Sequence, residues 1–264
     1  MHTSSVTGLN RMRRTLVPTA AIVVILAVWQ FVCATGIVPG YMLPSPVAVV
    51  LAFGKDPALL LSNTLVTLQE AALGLVIGVT AGFIFAVGMD RFLTFRLALN
   101  PLITVSQTIP TIAIAPLLVL WFGYGLAPKV ILVVITTFFP ITVSLVSGFA
   151  SVDPDLLDLM RTMRASRSQV FWNVKLPAAL PQFFSGLKIS ATYAIVGAVV
   201  AEWIGSSVGI GHMMTLYRKS FAYDSMFAVI LLISALSLLL MKLVDAIEHV
   251  AMPWEGNKGR KDQS

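Results

Sequence analysis

Six apolar segments dominate the sequence, and each is long enough to cross a hydrocarbon layer, which takes roughly 20 helical residues. They lie at 17–35, 65–89, 98–122, 130–150, 184–204 and 226–246. Hydrophobic residues make up 57% of the 264 residues and charged residues only 11%, a balance that no water-soluble core of this size can bury. Because lipid offers no hydrogen bonds to an open backbone, we expect an all-α integral membrane protein with six transmembrane helices in the lipid bilayer.

The positions of Lys and Arg predict how these helices are oriented, because cations stay on the cytoplasmic side. With the N-terminus inside, fourteen of the eighteen cations fall in inner segments and four in outer ones. The outer four are Lys55, Lys129, Arg218 and Lys219. Both chain termini are therefore predicted to be cytoplasmic.

This orientation divides the chain into three parts. Residues 1–16 form a cytoplasmic N-terminal tail, residues 17–250 the six-helix membrane domain, and residues 251–264 a cytoplasmic C-terminal tail. The net charge of +6 could also indicate nucleic acid binding, but the cations are scattered singly at the ends of apolar runs. Membrane topology explains that pattern better, so no nucleic acid partner is expected.

Metal and cofactor chemistry finds little support in the sequence. Cys33 is the single cysteine and has no partner for a disulfide or a cysteine metal site. His212 has no second His or Cys near it, and isolated histidines rarely bind metal. We therefore expect no metal site, no cofactor and no catalytic residues.

The third apolar segment contains polar and helix-breaking residues at its centre, namely Ser106, Gln107, Thr108, Pro110 and Pro116. Each Pro removes one backbone donor and clashes with the preceding turn. Polar, kinked membrane helices usually face protein or a cavity. We therefore expect residues 106–117 to line a translocation path, with a purely structural kink as the alternative.

Ionisable residues inside the apolar segments are few, and only Glu70 and Glu202 come near the middle of the membrane. Both lie close to segment ends, where water or a capped backbone can satisfy a carboxylate. A structural role is the leading interpretation for both, and Glu202 is also a candidate for the translocation path.

A polar, Arg-bearing interruption at 153–186 follows the fourth apolar segment. Asp153 and Pro154 predict a helix start, because the carboxylate caps free amides and Pro fits the first turn. Ser166 and Gln169 predict a second start of the capping-box type, and Pro177 is expected to end that second helix.

Two short helices that meet at Ala165-Ser166 would form a compact cationic knob. Met160, Met163, Val170 and Phe171 could fill a groove in another protein. A helix pair lying idle at the lipid surface is the alternative.

The residues of this interruption carry a resemblance to a known family. Asp158-Leu159-Met160-Arg161-Thr162-Met163-Arg164-Ala165-Ser166, followed by Val174-Lys175-Leu176-Pro177, resembles the Glu-Ala-Ala loop of ABC importer permeases. The similarity extends to Leu43-Pro44-Ser45-Pro46, Gln107-Thr108-Ile109-Pro110, Leu120-Trp121-Phe122-Gly123-Tyr124-Gly125, Phe138-Phe139-Pro140 and Ala201-Glu202-Trp203. Together these motifs are similar to the nitrate, sulfonate and taurine branch of binding-protein-dependent permeases.

The resemblance implies a type I ABC importer permease fold in a prokaryotic plasma membrane, with a cytoplasmic coupling helix between the fourth and fifth spans. We call residues 153–183 the coupling segment. Its implied contacts with the ATPase are Asp158, Leu159, Met160, Arg161, Met163, Arg164, Ala165, Ser166, Gln169, Val170 and Phe171. Implied partners are ABC ATPase subunits, an extracytoplasmic binding protein and a second permease copy in a homodimer.

The chain has no Gly-rich phosphate loop ending in Gly-Lys-Ser or Gly-Lys-Thr. It is therefore expected to be a transport subunit rather than an enzyme, with ATP hydrolysis on a separate chain. The resemblance is closest to permeases for riboflavin or the pyrimidine precursor of thiamine, with sulfonate, taurine or nitrate as alternatives. A secondary transporter is a further alternative, although paired broken helices and buried coupling carboxylates are missing from the pattern.

The sequence departs from the family loop at four positions, Asp158, Leu159, Met160 and Arg164. Arg164 replaces the usual Gly, which adopts a left-handed conformation that costs other residues roughly 1–2 kcal/mol. We therefore expect this corner to be wound differently from the family pattern.

Overall fold

The computed structural model describes residues 4–40 and 42–253, with side chains from residue 16 onward. Every secondary-structure element in these ranges is helical, which confirms the all-α prediction. The elements are α1 (Ser4–Ala34), α2 (Pro46–Ala52), α3 (Pro57–Arg91), α4 (Leu93–Ser106), α5 (Thr111–Phe122), α6 (Leu126–Ala150), α7 (Pro154–Thr162), α8 (Arg167–Val170), a π-helical turn (Phe171–Lys175), α9 (Leu176–Gly205), α10 (Ile210–Lys219) and α11 (Tyr223–Ala251). Most of the tail predicted at 251–264 lies outside the described residues.

Five helical stretches among the described residues are long and apolar enough to cross a membrane. They are Leu16–Ala34, Pro57–Arg91, Leu126–Ala150, Arg167–Gly205 and Tyr223–Ala251. The third predicted span, 98–122, is not one straight helix, because α4 and α5 meet at an angle of 100°. The described residues contain six candidate spans if this bent pair counts as one.

Pro110 explains where the third span breaks. It is the residue before α5 and has an extended backbone, with φ −65° and ψ 120°. Because Pro lacks an N–H and disfavours a helical residue before it, α4 cannot continue through this point. The predicted interruption is confirmed, and it is a full break rather than a kink.

The chain divides into two compact units. The first contains the residues up to 60 together with 214–231. Its core is formed by Val49, Ala52 and Ala228, with Trp29 and Phe227 packed around them. An ion pair between Lys55 and Asp224 lies at the edge of the same unit.

The second unit contains residues 61–213 and 232 onward. Its centre is the close packing of α3 against α6, which a row of glycines spaced four residues apart makes possible. A Cβ atom added to Gly78 would lie 2.0 Å from Thr137 Oγ1, and one added to Gly74 or Gly82 would lie 2.4 Å from Val133 or 2.8 Å from Ile141. Small residues at this spacing let two membrane helices approach closely.

We predict that Gly78→Ala destabilises the second unit, because its new methyl group overlaps the Thr137 side chain. Overpacking of this kind costs about 1–3 kcal/mol. The thermal unfolding midpoint in detergent should fall, and Gly78→Ala combined with Thr137→Ala should recover part of the loss. Gly54→Ala is the matched control, since its nearest neighbour is an ordinary contact at 3.5 Å. An unchanged midpoint for Gly78→Ala would contradict the packing.

Candidate functional site

The coupling segment begins with helix α7, which starts as the sequence predicts. The Asp153 side chain accepts a hydrogen bond from the Asp155 amide at 2.9 Å, and Pro154 occupies the first turn. A carboxylate at a helix N-terminus accepts hydrogen bonds from free amides and interacts favourably with the positive end of the helix dipole. The predicted first helix start is confirmed.

Helix α7 ends in a left-handed turn at Arg164, which has φ +54°. The Arg164 amide donates to the Arg161 carbonyl at 2.9 Å, and the Ala165 amide donates to the Met160 carbonyl at 3.0 Å. These two bonds define a Schellman motif with Arg164 at the position where Gly is preferred. The expectation of a differently wound corner is therefore wrong, because Arg164 adopts the conformation that Gly adopts in the family pattern.

Helix α8 follows at once and begins with the predicted capping box. The Gln169 amide donates to Ser166 Oγ at 3.3 Å, and the Ser166 amide donates to Gln169 Oε1 at 2.7 Å. Both donors are exposed, so the box replaces water at the helix start. The predicted corner between two short helices at Ala165-Ser166 is confirmed.

The predicted end of the second helix at Pro177 is wrong. A π-helical turn at Phe171–Lys175 continues α8 directly into α9, and Pro177 occupies the first turn of α9. A π-turn changes the hydrogen-bond register and so accommodates a residue that lacks an N–H. As a result, the coupling segment is continuous with a membrane-spanning helix.

The coupling segment presents apolar side chains to solvent beside its cations. Leu159 is 55% exposed, Met163 69% and Trp172 60%. The exposed members of the predicted set are Asp158, Leu159, Arg161, Met163, Arg164, Ser166 and Gln169, and the half-buried ones are Met160, Ala165, Val170 and Phe171. A patch of exposed apolar groups rimmed by charge is typical of a protein-binding surface.

Two contacts connect this surface to the membrane helices. The Phe171 ring packs against Phe149 of α6, with centroids 5.7 Å apart. Lys175 Nζ donates to both carboxylate oxygens of Asp90, at 2.6 and 2.9 Å, near the end of α3. A displacement of α8 would therefore act on α3 and α6 as well as on α9.

Four of the candidate path residues, Ser106, Gln107, Thr108 and Pro110, lie at the break between α4 and α5. Ser106 Oγ donates to the Ile103 carbonyl at 2.8 Å, and Thr108 Oγ1 donates to the Val105 carbonyl at 2.7 Å. The same two carbonyls also accept backbone amides, from Gln107 at 3.3 Å and Thr108 at 3.0 Å, so the hydroxyls add second donors at the end of α4. Gln107, Thr108 and Pro110 are exposed, and their role in a translocation path stays a prediction.

Glu202 is 1% exposed and lies within α9. Its carboxylate accepts hydrogen bonds from Thr67 Oγ1 at 2.6 Å and from the Gly211 amide at 2.7 Å. This arrangement agrees with the structural role favoured for Glu202, and its role in a path stays a prediction.

Lys129 was predicted to lie just before the fourth span, at 130–150, but α6 begins at Leu126 and includes it. Lys129 lies in the first turn of α6, is 5% exposed, and donates to Glu70 Oε1 at 2.6 Å. Pro128, a residue typical of a first helical turn, was the available signal that the helix begins before Lys129. The partner Glu70 could not be identified from sequence spacing.

Two solved structures share this fold. A chain of an inward-facing methionine ABC transporter aligns with TM-score 0.57 and 19% identity over 70% of this chain and 90% of that chain. A chain of an amino acid ABC transporter aligns with TM-score 0.54 and 19% identity over 75% and 97%. The fold is that of a type I ABC importer permease.

The family assignment comes from sequence. Residues 78–250 match the family described as the binding-protein-dependent transport system inner membrane component, and the chain belongs to this family. It is therefore a permease subunit of an ABC importer and a multi-pass protein of a prokaryotic plasma membrane. It works with separate ATPase subunits and an extracytoplasmic binding protein.

Several curated relatives cover nearly the whole chain. A probable ABC transporter permease of Haemophilus influenzae is 41% identical over 89% of this chain and 96% of that protein. The formylaminopyrimidine transport permease ThiX of Halalkalibacterium halodurans is 33% identical over 93% and 98%. A putative aliphatic sulfonates permease of Bacillus subtilis is 32% identical over 89% and 86%, and the riboflavin permease RibX of Chloroflexus aurantiacus 31% identical over 89% and 89%.

Because Arg164 has a left-handed backbone and Arg161 a helical one, we predict that replacement by Gly changes the stability of the coupling segment in opposite directions at these two positions. Arg164→Gly should stabilise the segment by about 1 kcal/mol, because Gly adopts this conformation without penalty. Arg161→Gly, inside α7, should destabilise it by about 1 kcal/mol. Amide hydrogen exchange at residues 157–166 would measure both, and slower exchange is expected only for Arg164→Gly. Faster exchange in Arg164→Gly would contradict the Schellman turn.

Proposed function

We propose that this permease imports a heterocyclic vitamin or vitamin precursor, either the pyrimidine precursor of thiamine or riboflavin. The observation that carries the proposal is the similarity to ThiX, which extends over 93% of this chain and 98% of that protein. The riboflavin permease is similar at nearly the same level. Both cargoes contain neutral nitrogen heterocycles.

The charges in the membrane helices support a substrate without a strong anionic group. Lys129 is paired with Glu70, Lys175 with Asp90, and Lys188 of α9 with Asp245 and Glu248 at 2.7 and 2.5 Å. Binding of a sulfonate or nitrate favours charge-assisted hydrogen-bond donors. These three lysines already form ion pairs with carboxylates of the protein.

Sulfonate, taurine or nitrate import is the second candidate. The Bacillus subtilis sulfonate permease is 32% identical to this chain, which is close to the identity with ThiX. The family relationship therefore supports both candidates, and the lysine pairs favour the heterocycle.

We further propose how ATP drives this permease. The exposed Leu159 and Met163 enter a groove on the ATPase, and Arg161 and Arg164 face its acidic groups. Closure of two ATPase subunits moves α7 and α8, and the π-turn passes this movement into α9. The Lys175–Asp90 pair passes it into α3, so that two permease copies in a homodimer alternate between inward-open and outward-open states.

The substrate proposal is tested by uptake in cells that carry the complete transporter. Labelled formylaminopyrimidine or riboflavin should accumulate, and unlabelled compound should compete. Excess taurine, an alkanesulfonate and nitrate should not compete. Accumulation of a sulfonate or nitrate without uptake of either heterocycle would contradict the proposal and support the second candidate.

The coupling proposal predicts that Arg161→Glu with Arg164→Glu uncouples transport without removing the protein from the membrane. Reversal of two interface charges should lower substrate-stimulated ATP hydrolysis by more than about tenfold. Reconstituted complexes in lipid vesicles provide the measurement. The matched control is Arg96→Glu, an exposed cation on α4 outside the coupling segment. Normal stimulated hydrolysis in the double variant would contradict the docking mode.

A further inference from the structure

A groove of about 610 Å³ lies at the corner where α3 meets α4, within the second unit. Only Phe92 separates the two helices, and its extended backbone turns the chain there. Besides Phe92, the lining residues are Ile84, Phe85 and Gly88 of α3 and Thr94, Phe95 and Ala98 of α4. Thr94 is the only polar residue of this lining, so the groove suits an apolar molecule.

Aromatic contacts fix the walls of the groove. The ring centroids of Phe85 and Phe95 lie 5.9 Å apart, and Phe85 also packs edge-on against Phe138 of α6 at 5.3 Å. A Cβ atom added to Gly88 would lie 2.9 Å from Phe95 Cε1, so a larger residue here would overlap the ring. The groove is therefore a preformed feature of the packing between these helices.

Asp90 and Arg91 show where the groove lies relative to the membrane. Asp90 is paired with Lys175 of the coupling segment, so this end of α3 is cytoplasmic. Arg91 is the last residue of the candidate span Pro57–Arg91, and an Arg at such a position lies at the level of the lipid headgroups. Ile84 is seven residues earlier, which places it about 10 Å deeper. The groove therefore runs from the cytoplasmic headgroups into the hydrocarbon.

Arg91 provides a positive charge at the cytoplasmic end of the groove. It follows Gly88 by three residues and Ile84 by seven, so these three residues share one face of α3. The Arg91 side chain is exposed and has no ion-pair partner among the described residues. The neighbouring Asp90 does not neutralise it, because both Asp90 oxygens accept from Lys175 Nζ.

We propose that this groove binds a phospholipid of the cytoplasmic leaflet that has an anionic headgroup. The lipid phosphate contacts Arg91, and one acyl chain lies against Gly88 and Ile84. Charge complementarity selects this occupant, because the cytoplasmic leaflet is anionic and attracts Arg side chains at its surface. A guanidinium also forms charge-assisted hydrogen bonds with phosphate oxygens. The site is independent of which substrate the permease carries.

A second permease copy is a poorer occupant of the groove. Copies that meet here across a two-fold axis would present the same patch to each other. Their Arg91 side chains would then approach without a carboxylate between them, since Asp90 is already paired with Lys175. Like charges at short distance repel. An anionic lipid instead supplies the opposite charge together with an apolar chain.

Native mass spectrometry of the delipidated permease–ATPase complex measures this binding. Phosphatidylglycerol should bind at one saturable site per permease chain, and zwitterionic phosphatidylcholine about fivefold more weakly. Arg91→Gln should weaken phosphatidylglycerol binding about fivefold, which corresponds to about 1 kcal/mol for one Arg at an anionic membrane surface.

Arg96→Gln is the matched control for Arg91→Gln. Arg96 is also exposed, but it lies two positions from both Thr94 and Ala98 and therefore on the side of α4 away from the groove. This variant should bind phosphatidylglycerol like the wild type. Equal losses in the two variants would show general attraction to the membrane surface and would overturn the proposal, as would a wild type without saturable binding.

A second substitution fills the groove instead of removing its charge. Ala98→Phe should abolish the binding of both lipids, whereas Leu97→Phe, at an exposed position outside the lining, should retain it. Glycerol phosphate, which has no acyl chain, should not displace the lipid. Unchanged binding in Ala98→Phe or displacement by glycerol phosphate would contradict the proposal. Loss of the permease dimer in Ala98→Phe alone would show that a second copy occupies the groove, and would equally overturn it.

Discussion

The structure depends on one constraint, which is that a backbone in lipid must find all its hydrogen bonds within the protein. Where a membrane helix is interrupted, side chains can add to or replace its backbone partners. At the break between α4 and α5, the hydroxyls of Ser106 and Thr108 donate to carbonyls of the preceding turn that also accept backbone amides. Before α10, Asn63, Thr67 and Glu202 accept from three successive amides. The interrupted backbone before α10 therefore explains why Asn63, Thr67 and Glu202 are polar.

The coupling segment follows a different rule because its helix ends are in water. Asp153 and the Ser166 capping box make only local bonds, and the apolar Leu159 and Met163 are left exposed. Exposed apolar groups on two short capped helices form a preorganised surface, which lowers the entropy lost on docking. The π-turn at Phe171–Lys175 then connects this surface to a membrane helix without a flexible joint. Such a connection can transmit force.

Local features could be predicted from the sequence because neighbouring residues determine them. The helix starts at Asp153 and Ser166, the break at Pro110 and most apolar spans belong to this group. Arg164 was misjudged because two hydrogen bonds of the Schellman motif outweigh a left-handed penalty of about 1–2 kcal/mol. The Lys129–Glu70 pair joins residues 59 positions apart, and the Thr67–Glu202 contact joins residues 135 positions apart. Such pairings depend on which helices pack together, which a single sequence does not reveal.

The most direct test of this account is ATP-driven uptake in lipid vesicles assembled from defined subunits. Vesicles with the permease, its ATPase and its binding protein should accumulate substrate only when ATP is supplied to the ATPase side. Vesicles that lack the ATPase, or that contain an ATPase unable to hydrolyse ATP, should accumulate none. Concentrative uptake by the permease alone, driven by an ion gradient, would contradict the account and indicate a secondary transporter.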